Sequence, residues 1–357
     1  MPHRELPRLL VIGFGGTWCM QQRDERSSTQ VSRPLGSDFD FGAEFPQVPR
    51  FCEVEFEELA ALDSSNLTPR HWTRLAAHVR ERGPRFDGVV ILQGTDTLAY
   101  TAAAMAFALR GLGRPVVLSG AQVAKGALGS DAGNNVVNAC RVAALRDDRG
   151  GPALARVAVV FGTRIIEGAR SRKVSENDFE AFASINAPLL GTIRREIELS
   201  PLATQKLKAR LSMDEPIAFD EDVALLQLYP GMRPAILDEV ASRASGLVLA
   251  AFGAGNVPSS TEGFDNPLSL EPAIRRAVER GVPVVVTTQC PHGLAEPGLY
   301  ETGTRARAAG AIVANDMTTE AALVKLSWLL GRGTRALPAL ERAMRTPLAF
   351  EITPRAR

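Results

Sequence analysis

Two threonine-bearing turns carry the chemical possibilities of this 357-residue chain. One is Gly94-Thr95-Asp96-Thr97. It follows the apolar run Gly88-Val89-Val90-Ile91-Leu92-Gln93 and opens an Ala-rich helical pattern over 98–112. An apolar run rich in β-branched residues, a glycine turn and a polar cap read as strand, turn and helix. Turns at the carboxyl ends of parallel strands are where α/β proteins place ligands. Thr95 and Asp96 would bring a hydroxyl, a carboxylate and helix N–H groups to that place. Thr and Asp are also favoured helix caps, so the turn alone reads equally well as an ordinary cap. The second turn, Gly15-Gly16-Thr17, follows an apolar run over 9–14 and presents another hydroxyl. Its glycines let the backbone approach a ligand closely. The sequence Gly13-Phe14-Gly15-Gly16-Thr17-Trp18 lacks the helix-packing third glycine of the dinucleotide fingerprint, which removes that reading.

The elements that must hold these turns follow from composition and pattern. Length favours two domains. Hydrophobic residues make up 45 % and charged residues 23 %, as in an ordinary globular protein. A net charge of +1 offers no basic field for nucleic acid. The four cysteines (Cys19, Cys52, Cys140, Cys290) are far apart and form no CxxC pair, so neither a zinc site nor a disulfide framework is expected. Free thiols and the short polar start before residue 8 point to the cytoplasm. No apolar run approaches the roughly twenty residues of a membrane span. With four histidines in the chain, His71 and His78 read as surface or packing residues and not as a metal pair.

Strand and helix patterns alternate along the chain. After the first strand and turn, a polar segment over 21–42 reads as an active-site lid or a disordered loop. Strands are expected at 51–56, 88–93 and 157–162, and a strand with its turn over 114–122. A helix starts at Thr68-Pro69, and the stretch 130–135 caps another expected over 136–145. The loop over 168–173 is basic and ends on Lys173. This is the pattern of a doubly wound α/β domain. Residues 194–221 are charged, contain Pro201 and Pro216, and show no period. The expected division is therefore an N-terminal α/β domain over 1–193, a linker over 194–221, and a smaller C-terminal α/β domain over 222–357.

Taken together, these residues resemble the asparaginase/glutaminase family, and within it the bacterial, cytoplasmic type I asparaginases. The likeness runs nearly end to end. It rests on Gly15-Gly16-Thr17, Asp63-Ser64-Ser65, Gly94-Thr95-Asp96-Thr97, Ser119-Gly120-Ala121-Gln122, Ser130-Asp131, and Lys173 with Phe182 and Asn186. Beyond residue 222 it continues through Gly253-Ala254-Gly255-Asn256-Val257-Pro258, Thr288-Gln289-Cys290 and Asp316-Met317-Thr318-Thr319-Glu320. The resemblance implies hydrolysis of the L-asparagine side-chain amide to L-aspartate and ammonia, without metal or cofactor. It casts Thr17 as nucleophile and Thr95, Lys173 and Asp96 as a second catalytic cluster. Ser64 and Ser65 would bind the substrate α-carboxylate, Asp96 also its ammonium, and N–H groups near Gly16, Gly94 and Thr95 the oxyanion. Asn256 matches a position that reaches a neighbouring subunit's site, which implies a homodimer or homotetramer.

The chain also departs from the family pattern. Phe14 stands where Thr is usual before the nucleophile turn, and Gln93 where His is usual before Gly94. Trp18 and Cys19 follow Thr17 in place of small or aliphatic residues. Active members carry a lid Tyr beside the nucleophile, yet Tyr100, Tyr229 and Tyr300 all lie outside 21–42. Either a hydroxyl from Ser27, Ser28 or Thr29 takes its place, or Thr17 is activated in a different way. The departures keep two alternatives open: an amidase for glutamine, D-asparagine or a peptide amide, and a non-catalytic amino-acid-binding relative. A component of a tRNA-dependent amidotransferase is disfavoured, because such components carry a further N-terminal domain and the first strand here begins near residue 8.

Overall fold

The computed structural model describes residues 5–19, 21, 22, 30, 31, 34–205, 215–296 and 300–354. It separates into two compact units, one of Met1–Ser184 with Pro188–Glu215 and one of Ile185–Ala187 with Pro216–Arg357.

The first unit begins with β1 (Arg8–Phe14), the two-residue strands β2 (Gln21–Gln22) and β3 (Gln30–Val31), the helical turn α1 (Phe41–Glu44) and β4 (Glu53–Ala60). Then come α2 (Pro69–Arg82), β5 (Gly88–Leu92), α3 (Leu98–Ala108), β6 (Val116–Ser119), α4 (Ala132–Ala143) and β7 (Val157–Phe161). Short strands close the unit: β8 (Arg164–Glu167), β9 (Ser171–Lys173), β10 (Phe182–Ser184), β11 (Gly191–Ile193) and β12 (Ile197–Leu199). Eight strands make one sheet in the order β12-β11-β8-β7-β6-β5-β1-β4. From β4 to β7 it is parallel, and β8, β11 and β12 continue it antiparallel. Apart from exposed Arg8, every residue of β1, β5, β6 and β7 is buried, because helices cover both faces of a parallel sheet. That is why these strands read as unbroken apolar runs.

Chain order reverses at β1, which lies between β4 and β5. Such a switch point opens a crevice at the carboxyl ends of the strands. Gly13 pairs with Leu92 there, so the two glycine turns leave the sheet side by side.

The second unit holds a parallel four-stranded sheet in the order β13 (Val223–Gln227), β14 (Gly246–Ala251), β15 (Val284–Thr288) and β16 (Ile312–Val313). Its helices are α5 (Pro234–Arg243), α6 (Glu271–Glu279), α7 (Glu301–Ala308), α8 (Thr319–Gly331) and α9 (Leu337–Arg345). Lys325 of α8 and Glu351 are both fully buried and pair at 2.5 Å. The ammonium also donates to the carbonyls of Met344 at 2.9 Å and Thr346 at 2.7 Å. The carboxylate accepts the N–H groups of Leu348 and Ala349.

An α/β chain with a larger first domain and a smaller second one is what the sequence pattern predicts. The expected linker differs from what is found. Residues Ile197–Leu199 form β12, paired antiparallel with β11, and a 3-10 helix follows at Pro201–Thr204. Short antiparallel edge strands leave no long apolar period, so in the sequence this stretch of sheet resembles a connection. The division between the units falls at Glu215 and Pro216. Among the described residues no helix is long and apolar enough to cross a membrane.

Candidate active site

The Thr95 turn does not use its hydroxyls as helix caps. Thr97 occupies the N-cap position of α3 without a side-chain cap hydrogen bond. Its hydroxyl donates instead to the carbonyl of Ser64 at 2.9 Å. The Thr95 hydroxyl donates to Gln122 Oε1 at 3.1 Å, and Lys173 Nζ donates to Thr95 Oγ1 at 2.8 Å. Lys173 ends β9, where it pairs with Phe182 of β10. Its ammonium also reaches Asp96 Oδ1 at 2.7 Å. Burial is asymmetric along this chain of contacts. Thr95 is 6 % exposed, whereas the side chains of Lys173 and Asp96 are 18 % and 63 % exposed. The cation thus bridges a buried hydroxyl and a carboxylate that faces solvent.

The Thr17 turn is held by its own neighbours. Gly15 and Gly16 have φ of +74° and +97°, a region open chiefly to glycine. The Trp18 indole N–H donates to Gly15 O at 3.0 Å, and the Cys19 backbone N–H and thiol both reach Gly16 O. Both carbonyls are therefore turned away. The N–H groups of Gly16, Thr17, Thr95 and Asp96 donate to no acceptor among the described residues. Two turns of free N–H groups make a concavity suited to an anion or a developing oxyanion. A Cβ on Gly16 would lie 2.0 Å from Gly94 N, and one on Gly94 would lie 2.6 Å from Ser64 Oγ. Gly16, Gly94 and Ser64 are thus packed in direct succession.

Ser64 is buried and opens a 3-10 turn whose cap is Asp63, which accepts the Ser65 N–H at 2.8 Å. Ser65 is exposed. Cys19, two residues after Thr17, is no rival nucleophile. Burial, with the charge of Glu58 adding to it, pushes its thiol from 9.0 up to about 12 despite an opposing backbone hydrogen bond, and a protonated buried thiol is inert.

The structure thus gathers Gly16, Ser64, Gly94, Thr95, Asp96 and Lys173 from the predicted set, with Thr17 on the adjoining turn. Asn256 lies in the second unit, where the Thr302 hydroxyl donates to its Oδ1 at 3.1 Å. Ser27, Ser28 and Thr29 lie outside the described residues. Gln93 is fully buried, and its amide donates to Gly94 O at 3.3 Å. Phe14 meets His71 edge-on at 6.5 Å. His71 Nδ1 accepts from the Thr68 N–H, and His78 pairs with Glu57 at 2.6 Å. No group of three His, Cys, Asp or Glu suited to a metal occurs among the described residues. Sequence reasoning missed Gln122 as a partner of Thr95. The signal was available, because Gln122 closely follows β6, the strand next to β5.

Known proteins share this sequence pattern and this fold. Residues 8–204 match the family Asparaginase, N-terminal, and residues 222–344 the Glutaminase/Asparaginase C-terminal domain. L-asparaginase 1 of Escherichia coli K12 is 34 % identical over 352 residues, covering 97 % of this chain and 98 % of its own. A component of the glutamyl-tRNA(Gln) amidotransferase of Pyrococcus abyssi is 33 % identical over 362 residues, covering 98 % of this chain and 77 % of its own. The structure of the thermostable L-asparaginase from Thermococcus kodakarensis superposes with a TM-score of 0.80 at 33 % identity, covering 98 % of this chain and all of that one. With both its regions matched and such relatives aligned almost end to end, the chain belongs to the asparaginase/glutaminase family.

Proposed function

We propose that this protein hydrolyses the side-chain amide of L-asparagine to L-aspartate and ammonia, as a type I enzyme of the family, with Thr17 as nucleophile. The observation that carries the reading is the Lys173 ammonium, hydrogen-bonded at once to Thr95 Oγ1 and Asp96 Oδ1. An amide carbonyl is a poor electrophile and needs a nucleophile, a route for its proton and donors for the oxyanion. Thr17 supplies the attacking oxygen. Thr95, Lys173 and Asp96 serve the proton, with Lys173 switching between donor and acceptor. The N–H groups of Gly16, Thr17 and Thr95 receive the negative charge on the carbonyl oxygen. Exposed Asp96 keeps a carboxylate oxygen for the substrate ammonium, and Ser64 and Ser65 take the α-carboxylate. Asn256 of a second copy completes the site in a homodimer or homotetramer in the cytoplasm.

Ammonia release from L-asparagine by the purified chain tests this reading. Thr17→Ala and Thr95→Ala should each lower kcat by about 10³-fold or more. A wild type that releases no ammonia from asparagine, glutamine or their D-forms refutes it. The similarity to an amidotransferase component supports a second reading, in which the same amide chemistry feeds ammonia to a partner protein. Full turnover by the chain alone excludes dependence on such a partner. The absence of Tyr from 21–42 supports a third, a larger carboxamide as substrate, which an amide panel separates from the first.

A further inference from the structure

The Thr95 hydroxyl has a single hydrogen, and its direction is settled by its neighbours. An ammonium has only donors, so the Thr95 oxygen must accept from Lys173, at 2.8 Å. Its own hydrogen then points to the other polar atom in reach, Gln122 Oε1 at 3.1 Å. The Gln122 amide cannot reverse without loss, because its Nε2 donates to the carbonyl of Ser175 at 3.5 Å. Ser175 stands two residues beyond Lys173. One amide group therefore touches both the Thr95 turn and the chain leaving β9.

Gln122 is itself held from behind. Asp131, 8 % exposed, accepts the backbone N–H groups of Gln122 at 3.0 Å and Val123 at 2.9 Å. It also accepts the Asn135 amide at 2.9 Å. Asn135, 1 % exposed, spends its other N–H on Gly120 O and receives the Gly162 N–H. Every polar atom of the Asn135 side chain is engaged. Asp131 is the N-cap residue of α4, yet its side chain makes no cap hydrogen bond. It braces the Gln122 loop instead, which gives the Ser130-Asp131 pair a purpose that capping does not.

We propose that Gln122 is a positioning residue for the second threonine, accepting the Thr95 hydroxyl hydrogen so that the oxygen lone pairs of Thr95 face Lys173, with Asp131 and Asn135 as its brace. The assignment deepens the amide-hydrolysis reading and rests on it for its kinetic consequence. Without the acceptor, the Thr95 hydrogen has no fixed direction, and Lys173 loses a fixed hydrogen-bond acceptor. Gln122 does not need to touch substrate for this, so the effect falls on turnover and leaves binding alone.

The experiment compares wild type, Gln122→Met and Gln122→Glu. Methionine keeps the length and removes both polar atoms. Glutamate keeps the acceptor oxygen. Gln122→Met should lower kcat for asparagine by about tenfold with KM within about twofold, and Gln122→Glu should recover most of that loss. A Gln122→Met variant as fast as wild type overturns the proposal. So does a Gln122→Glu variant as slow as Gln122→Met, or a change confined to KM. Crystal structures of wild type and Gln122→Met give a readout that needs no turnover. In wild type Thr95 Oγ1 should sit within hydrogen-bond reach of both Gln122 and Lys173, and in the variant it should have left Lys173. A wild type that turns over no amide refutes the amidase reading alone, and the side-chain positions of Thr95 then decide the Gln122 assignment. An unmoved Thr95 in Gln122→Met overturns it in either case.

Discussion

Replacing Gly16 by alanine tests whether the spacing of the two threonine turns is fixed by backbone contact. The new Cβ would stand 2.0 Å from Gly94 N, 2.4 Å from Gly94 Cα and 2.5 Å from Gln93 C. All three are backbone atoms, so no side chain can swing aside. Restoring the 3.4 Å of ordinary contact requires the turns to part by about 1.4 Å. The residue also sits at φ +97°, where a side chain costs about 1–2 kcal/mol, and overpacking adds about 1–3 kcal/mol. A total near 3 kcal/mol in a unit of this size lowers Tm by about 10 °C. A displacement of 1 Å at reacting groups costs about 100-fold in rate. Gly16→Ala should therefore show kcat for asparagine down about 100-fold, alongside the lower Tm. Gly94→Ala meets Ser64 Oγ at 2.6 Å and Ser64 Cβ at 2.8 Å, a smaller overlap than 2.0 Å against backbone and without a positive φ, and should lose less. Gly36→Ala meets nothing within 4 Å and serves as the control. A Gly16→Ala variant that turns over at the wild-type rate, or a Gly94→Ala variant that is the more damaged of the two, would refute a spacing set by backbone contact.

Two further outcomes follow from buried groups. Lys325→Met leaves the Glu351 carboxylate buried without its cation and should cost about 3–5 kcal/mol in urea unfolding. Adding Glu351→Leu should return much of that loss, and a double variant no more stable than the single would contradict it. Among the thiols, Cys290 is exposed while Cys19, Cys52 and Cys140 are buried, so a thiol reagent should label one site in the folded protein and four after unfolding. Burial raises Cys19 and Cys52 from 9.0 to about 12 and Cys140 well above its usual value. Between pH 9 and 12 the unfolded chain gives up protons that the folded chain keeps, so stability should fall as pH rises through that window. An unfolding midpoint that is level from pH 8 to 10.5 would contradict this.

What the sequence reveals depends on the range of the interaction. The runs that form β1, β5, β6 and β7 are plain because burial on both faces demands continuous apolar residues. The glycine turns are plain because φ near +74° and +97° leaves few other residues. The helix expected over 98–112 stops at Ala108, where the chain turns toward Gly111 and Gly113, both at positive φ. The strand expected at 51–56 begins two residues later and runs to Ala60, because its partner β1 carries the pairing forward to Phe14. Strands β8 to β12 span three or four residues each, too short to leave a period. Within the site, Thr95 and Asp96 are marked by local pattern. Their contact with Lys173 crosses 78 and 77 positions, and that with Gln122 crosses 27. No local pattern encodes such contacts; for Lys173 only the family likeness supplies the link.

The outer strand β4 has a consequence for behaviour at high concentration. Among the described residues it is the last strand of an eight-stranded sheet, and such margins invite a strand from another molecule. Here Glu53, Glu55 and Glu57 alternate along it beside Glu58. Arg8, Arg82 and His78 answer this row from within the same unit. A second molecule that laid its own β4 alongside would bring an identical acidic row against this one. Arg8 and Arg82 already hold these carboxylates within the molecule, so an added strand finds no unpaired cation with which to offset its own acidic row. Edge-to-edge growth of the largest sheet through β4 is thereby disfavoured.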